Sequence, residues 1–278
     1  MQICLFKKWG SRFVIFISIL FFEVVNAQTG SFPNKPIKII IPFPPGNTTD
    51  LMARLIAPKL SERLGQQVIV ENRPGASGML GLDLVAKSAP DGYTLGAGQG
   101  GNLVVLPHTS KSVPYDALKD FTPIAISTTN YLVVVGGTGS PFKSLPEMIA
   151  WAKANPGKLT FASAGNGGSS HLVPEMFMLR SGVDMVHVPY KGTAPAISDV
   201  LAGQVNLMFD TLLTSTQHIQ SGKLKVIAST TAKRLPDYPK VPTVAESGYL
   251  GFEASSWYGL EVKAGTPPEI VKRLSAEL

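Results

Sequence analysis

Residues Lys38–Leu64 read KIIIPFPPGNTTDLMARLIAPKLSERL, and two periods meet within them. The run KIIIPF at Lys38–Phe43 is apolar without alternation, the pattern of a strand covered on both faces. PPGNTTD at Pro44–Asp50 breaks it with two prolines and a glycine. Leu51–Leu64 then places Met52, Leu55, Ile56, Leu60 and Leu64 near one face at helical spacing, and Gly65 stops the helix. A buried strand turning sharply into an amphipathic helix opens a strand–helix–strand crossover, so the fold class is α/β with parallel strands.

The same grammar runs on. Strands are expected at Gln67–Val70, within APDGYTLGAG, and at Leu132–Val135, Leu159–Ala162, Met185–Val188, Gln204–Asp210 and Leu224–Ser229. Helices are expected after NRPGASG up to Lys87, at Leu172–Leu179 and at Ala196–Leu201. One more is expected at Leu145–Ala154, where Ser144 and Glu147 have capping-box spacing. His218–Gly222 reads as a turn, and Trp257 and Tyr258 as hinge or core residues. Phe121–Thr129 and Ala228–Lys233 read as two crossings between domains. One domain would hold residues 31–128 and 232–278, and the other residues 129–231. Thr266-Pro-Pro-Glu269 starts a helix that continues to Leu278 without a stop signal, so the first domain is expected to be incomplete at its C-terminal end.

Three strand-to-helix turns share one character: PPGNTTD at Pro44–Asp50, SAGNGGSS at Ser163–Ser170 and YKGTAP at Tyr190–Pro195. Each has a glycine, a hydroxyl suited to an N-cap and a helix behind it. Helix starts present unpaired N–H groups and partial positive charge, so an anion is the natural guest. No lysine follows Gly168 as a phosphate-binding P-loop requires, and Gly165, Gly167 and Gly168 do not have dinucleotide-loop spacing. That leaves a small carboxylate held by amides and by the hydroxyls of Ser163, Ser169 and Ser170, or a plain flexible turn. Ligands of open α/β sheets bind beyond the carboxyl ends of strands, so the cleft between the domains is where the turns would meet. Asp210 ends a strand at that edge; it could accept from a ligand ammonium, from water or from a loop amide, or simply cap Thr211.

A hydrolase of small esters is the alternative, drawing on adjacent Ser169, Ser170 and His171 with Asp50 or Asp210. Neighbouring Ser170 and His171 point apart, however, and no GxSxG elbow occurs. The four histidines lack HxH or HExxH spacing, so no metal is expected.

The N-terminus, MQICLFKKWGSR followed by FVIFISILFF, is a basic segment and then an apolar run short for a bilayer, and Val25-Asn26-Ala27 offers a cleavage site. Met1–Ala27 is expected to be a secretory leader rather than a retained anchor, so the mature chain is expected to be exported. Cys4, the single cysteine, lies inside it, which excludes disulfides and thiol chemistry from the mature protein. The chain has 25 basic and 19 acidic residues, a net +6; setting aside three basic and one acidic residue of the leader leaves +4. No basic run stands out, so a nucleic-acid partner is not indicated.

PFPPGNTTDLMAR, VIVENRPGASGMLG, APDGYTL, VPYDALKDFTPIA, FASAGNGGSSHL, VPYKGTAPAISDVLAGQVNLMFD, AKRLPDYPKVPTVAESG and SSWYGL, in this order from about Phe32 onward, resemble the Bug or TctC family of periplasmic solute receptors of tripartite tricarboxylate transporters. The resemblance implies a two-domain Venus-flytrap fold of the periplasmic-binding-protein type, the periplasm as the compartment of the mature chain, a cleft closing on a small carboxylate, and delivery to membrane permease subunits. A monomer without cofactor or catalysis is expected. Its first ligand loop falls on Phe43, Pro44, Gly46, Asn47, Thr48, Thr49 and Asp50. The second falls on Ala164, Gly165, Asn166, Gly168, Ser169, Ser170 and His171. Lys191, Gly192, Thr193 and Ala194 form the third, and Asp210 completes the set. Asn47 stands where the family has a second glycine, and GAGQGGNLVVLPHTSK is richer in glycine than the family pattern.

Overall fold

The computed structural model describes residues 32–278, so the expected leader lies outside the described residues. Nine strands form a sheet in the order β2-β1-β3-β9-β4-β7-β5-β6, with β8 also paired to β4. The strands are β1 (Ile37–Ile41), β2 (Val68–Asn72), β3 (Thr94–Gln99), β4 (Phe121–Gly137), β5 (Thr160–Ser163), β6 (Val186–Pro189), β7 (Leu207–Thr211), β8 (Leu224–Ser229) and β9 (Ser255–Lys263). The eight α-helices among the described residues are α1 (Thr48–Leu64), α2 (Met79–Ala86), α3 (Leu106–Thr109), α4 (Leu145–Ala154), α5 (Ser169–Ser181), α6 (Thr193–Leu201), α7 (Leu212–Gln220) and α8 (Pro268–Glu277).

The unalternating run predicts a doubly covered strand, and β1 is one: Ile37, Ile39 and Ile41 are fully buried and Ile40 nearly so. It runs parallel to β2 and β3, as crossover connections require. β5 is likewise parallel to β6 and β7. The long strand β4 joins the two parallel groups. Its first part pairs antiparallel with β9 through Tyr131↔Ser255, and its second part pairs antiparallel with β7 and β8 from Leu132 and Val133 onward. What reads in sequence as a crossing at Phe121–Thr129 and a separate strand at Leu132–Val135 is therefore one strand, because both stretches find partners. On the β7 side Phe142, Phe161, Phe177, Phe209 and Phe252 fill one face of the sheet, while Val133, Val135, Ala196, Val200 and Met208 fill the other. On the β1 side Ile40, Leu82, Val85, Tyr115 and Phe121 pack together.

Three helices begin three residues earlier than their apolar periodicity indicates: α1 at Thr48, α5 at Ser169 and α6 at Thr193. The threonines and serines are thus first-turn residues, and the caps are Asn47, Gly168 and Gly192. Only Asn47 caps with its side chain, accepting from the Asp50 amide at 2.9 Å. This corrects the expectation of hydroxyl caps at all three turns. α7 replaces the turn expected at His218–Gly222, and Trp257 and Tyr258, read as hinge or core residues, lie on the unforeseen strand β9 with Tyr258 buried in the core. Helices α4 and the strand β8 have the expected bounds.

Candidate functional site

The carboxyl ends of β1, β2, β3, β5, β6 and β7 open on one cavity of about 630 Å³. Four helices start at its wall: α1 with Asn47 and Thr48, α5 with Gly168, Ser169 and Ser170, α6 with Gly192 and Thr193, and α7 after Thr211. Their unpaired amides and partial positive charges converge on the same space.

The structure brings together most of the residues expected from sequence. Phe43, Pro44, Asn47, Thr48, Ala164, Gly165, Asn166, Gly168, Ser169, Ser170, Lys191, Gly192, Thr193 and Asp210 line the cavity. Five expected residues do not. Gly46 and Ala194 line a neighbouring groove between α1, α6 and α7. Thr49 is fully buried, its hydroxyl unpaired among the described residues. Asp50, 2 % exposed, accepts from the Gly46 amide at 2.9 Å, from Arg54 Nε at 3.0 Å and from Asn72 Nδ2 at 2.9 Å, so it fastens the first loop from behind. Burial opposes its charge, but these donors hold its carboxyl below the usual carboxylate range. His171 lies beneath the second loop, where its Nδ1 accepts the Gly167 amide at 3.2 Å.

The second loop is tied to its own neighbours without any charge. Ala164 N–H donates to Ser170 Oγ at 3.0 Å, Gly165 N–H to Ser163 Oγ at 3.3 Å, and Gly192 N–H to Ala164 O at 3.1 Å. The amides of Asn166, Ser169 and Ser170 have no acceptor within the protein among the described residues. Lys191 and Asp210 are the only charged side chains on the described cavity wall; Lys191 is exposed and Asp210 is buried. Asp210 Oδ2 accepts from Thr214 at 2.6 Å and Ser215 at 2.6 Å, and burial outweighs those bonds, pushing its carboxyl up to about 6.

Contacts cross the cavity between the β1 side and the β5 side. Thr48 Oγ1 and Thr211 Oγ1 are 2.7 Å apart. The Tyr258 phenol, 3 % exposed, sits among the hydroxyls of Ser256, Thr48 and Ser169, and burial raises its pKa. Gly192 has φ +115°, and a Cβ there would stand 3.2 Å from Pro44 Cγ. Sequence reasoning missed Tyr258, Gln99, Asn102 and Leu106 as wall residues, and also the segment Gly75–Gly78. In that segment four successive residues have positive φ, among them Ala76 at 48° and Ser77 at 55°. Non-glycine residues in the left-handed region cost about 1–2 kcal/mol each, and RPGASG carries the two glycines that permit the turn.

A serine–imidazole pair exists, but not the one expected: Ser163 Oγ lies 2.6 Å from His187 Nε2, and Ser163 is fully buried. Neither His171 nor His187 is on the cavity wall. No group of three or more metal-ligating side chains occurs among the described residues.

Residues 52–278 match the profile of the tripartite tricarboxylate transporter family receptor. The chain belongs to this family. The receptor is 40% identical over 255 residues to Protein BugT of Bordetella pertussis, covering 91% of this chain and 78% of BugT. Among solved structures, the R. palustris protein Rpa4515 with adipate superposes with a TM-score of 0.86 at 36% identity, covering 88% of the receptor and 82% of that chain. MatC (Rpa3494) from Rhodopseudomonas palustris with bound malate gives 0.83 at 34% identity, covering 88% and 84%. The receptor thus has the two-domain α/β fold of periplasmic binding proteins and is a solute-binding protein of that class, in a family of receptors rather than enzymes. No helix among the described residues is long and apolar enough to cross a membrane.

Proposed function

We propose that the receptor captures a small carboxylate in the cavity and hands it to the membrane permease of a tripartite tricarboxylate transporter. The observation that carries this reading is the convergence of four helix starts, with the unengaged amides of Asn166, Ser169 and Ser170, on a cavity whose wall has no arginine. Charge-assisted hydrogen bonds of about 1.5–3 kcal/mol each from such donors support micromolar affinity, about −8 kcal/mol. The adipate and malate bound by the two superposed relatives support the same ligand class.

The ligand residues on this reading are the cavity-lining members of the Phe43–Thr48, Ala164–Ser170 and Lys191–Thr193 loops, with Asp210 at the floor. Residues 31–128 and 232–278 form one domain and 129–231 the other, and they close over the ligand through the Thr48–Thr211 contact. The chain acts as a monomer without a catalytic step, and it is exported with loss of Met1–Ala27. A thermal-shift panel of small carboxylates is the test: a ligand at a hundred times its dissociation constant stabilises by about 2.7 kcal/mol. Absence of stabilisation by every carboxylate, or turnover of an activated ester, rejects the reading. Solution scattering at saturating ligand should show compaction, and periplasmic protein should begin at or near Gln28.

A further inference from the structure

Beneath the glycine loop lies a stack of three rings that the binding reading does not use. Phe161 of β5 stacks on His187 of β6, with centroids 4.8 Å apart and planes 16° from parallel. His171 of α5 stacks on His187 at 4.1 Å and 20°. Both imidazoles reach the loop from behind. His187 Nε2 is 2.6 Å from Ser163 Oγ, which is itself bonded to both the amide and the carbonyl of Gly165. His171 Nδ1 accepts the Gly167 amide, so its proton resides on Nε2, which faces Glu175 Oε1 at 3.5 Å.

We propose that His171 and His187 are positioning residues for the glycine loop, and that they make carboxylate capture depend on neutral imidazoles, so that the receptor loses its grip as the medium turns acid. A proton on His171 Nδ1 would set an N–H against the Gly167 N–H, and the acceptor that fixes the loop would become a second donor. Burial, followed by the neighbouring His171, already pushes His187 down to about 4. Among the described residues Glu175 is the only acidic side chain paired with either ring; β5 contributes Phe161 and the neutral Ser163 hydroxyl, and β6 contributes His187 itself. An imidazolium would attract a carboxylate, which acts in the opposite direction. Neither ring is on the cavity wall, however, so the lost acceptor acts on the loop directly and the charge acts only through it.

This inference rests on the reading of the cavity as a carboxylate site, and the test separates the two. First, the ligand-free protein is titrated by ¹⁵N NMR. The Gly167 amide should shift together with the His171 ring nitrogens, and above the transition the ring nitrogens should report the Nε2–H tautomer. A Gly167 amide that ignores the ring overturns the inference without any ligand. Second, adipate and malate affinities are measured at pH 7.5 and 5.5 in the wild type, in His171→Asn, whose Oδ1 replaces the Nδ1 acceptor without titrating, and in His171→Phe, which keeps a ring but no acceptor. A site that requires a neutral ring weakens about tenfold for each pH unit below the imidazole's titration. On acidification the wild type should lose affinity relative to His171→Asn. His171→Phe should be weak at both pH values. Equal pH profiles in wild type and His171→Asn, or a wild type that binds more tightly at pH 5.5, overturn the inference. If neither probe binds at pH 7.5, the carboxylate reading fails for these acids while the NMR result still decides the role of the histidines.

Discussion

The two principal loops of the cavity, Phe43–Asp50 and Ser163–His171, do the same geometric work with opposite chemistry. The first is fastened by a carboxylate: Asp50 gathers the Gly46 amide, Arg54 and Asn72 behind the wall. The second is fastened by neutral groups, namely the Ser163 and Ser170 hydroxyls and two imidazoles. Both solutions keep full charge away from the ligand space. The difference lies in how each fails: removing a charged fastener strands its partners, whereas removing a neutral one forfeits single hydrogen bonds.

Asp50→Ala is the sharpest way to break that contrast, because it leaves Arg54 and Asn72 without their buried acceptor. We expect a loss of about 2 kcal/mol in stability, since the half-exposed Arg54 can be hydrated while Gly46 and Asn72 lose their acceptor, read from the urea midpoint at unchanged m-value; a shift worth less than about 1 kcal/mol would put the first loop on the same footing as the second. Gly168→Pro tests the second loop. Its φ of −82° suits proline and nothing lies within 4 Å of an added Cβ, so the substitution removes the Gly168 N–H, which like those of Asn166, Ser169 and Ser170 has no acceptor among the described residues. Carboxylate affinity should fall by at least about 1.5 kcal/mol, more than tenfold, in calorimetry on protein with native circular dichroism; near-normal affinity rejects the loop as the anion grip. Thr48→Val removes the 2.7 Å bond that joins the two sides. It should cost about 1 kcal/mol in affinity with thermal stability of the ligand-free chain nearly unchanged, and an equal loss in both would make the contact structural.

The smallest signal is local and depends on pH. His187 has a depressed folded value near 4, so its stabilising neutrality is complete above the ordinary histidine value of about 6.5 and is lost as pH falls from there toward 4. Asp50 is also depressed, but as an acid, so its contribution persists to about pH 4 and is lost only below it. Hydrogen exchange corrected for intrinsic rates should therefore loosen Ser163–His171 between pH 6.5 and 4 while Phe43–Asp50 holds. Simultaneous loosening would remove the distinction. Glu261 works against both trends: burial pushes it up to about 8, so the stability it contributes is lost as pH rises from about 4.5 through 8, and Glu261→Gln should flatten that slope.

Legibility in the sequence followed the reach of the interactions. The strand β1, the turn after it and the course of α1 could be read because period, proline and glycine signals are local. The capping spacing of Ser144 and Glu147 located α4 for the same reason. β9 was illegible because SSWYGLEVK becomes a strand only by pairing with β3 and β4, more than 120 residues earlier. α7 was illegible because LLTSTQHIQ is two-thirds polar, and its Thr214 and Ser215 are used to satisfy Asp210. The cavity wall was found where a glycine turn announces it and missed where it depends on tertiary approach, as at Tyr258 and Leu106.

The long strand β4 also sets an order of assembly. Its second part, with β5, β6, β7 and β8, forms a sheet from the contiguous residues 132–229, whose one face is completed by Val244 and Phe252 further along the chain. Its first part waits for Ser255–Lys263, because among the described residues β9 is the only strand that bridges β3 and β4. The chain length separating those partners is expected to make that closure slower than pairing within residues 132–229. Until it occurs, β1, β2 and β3 have no route into the common sheet, and half of the cavity wall has nothing to stand on.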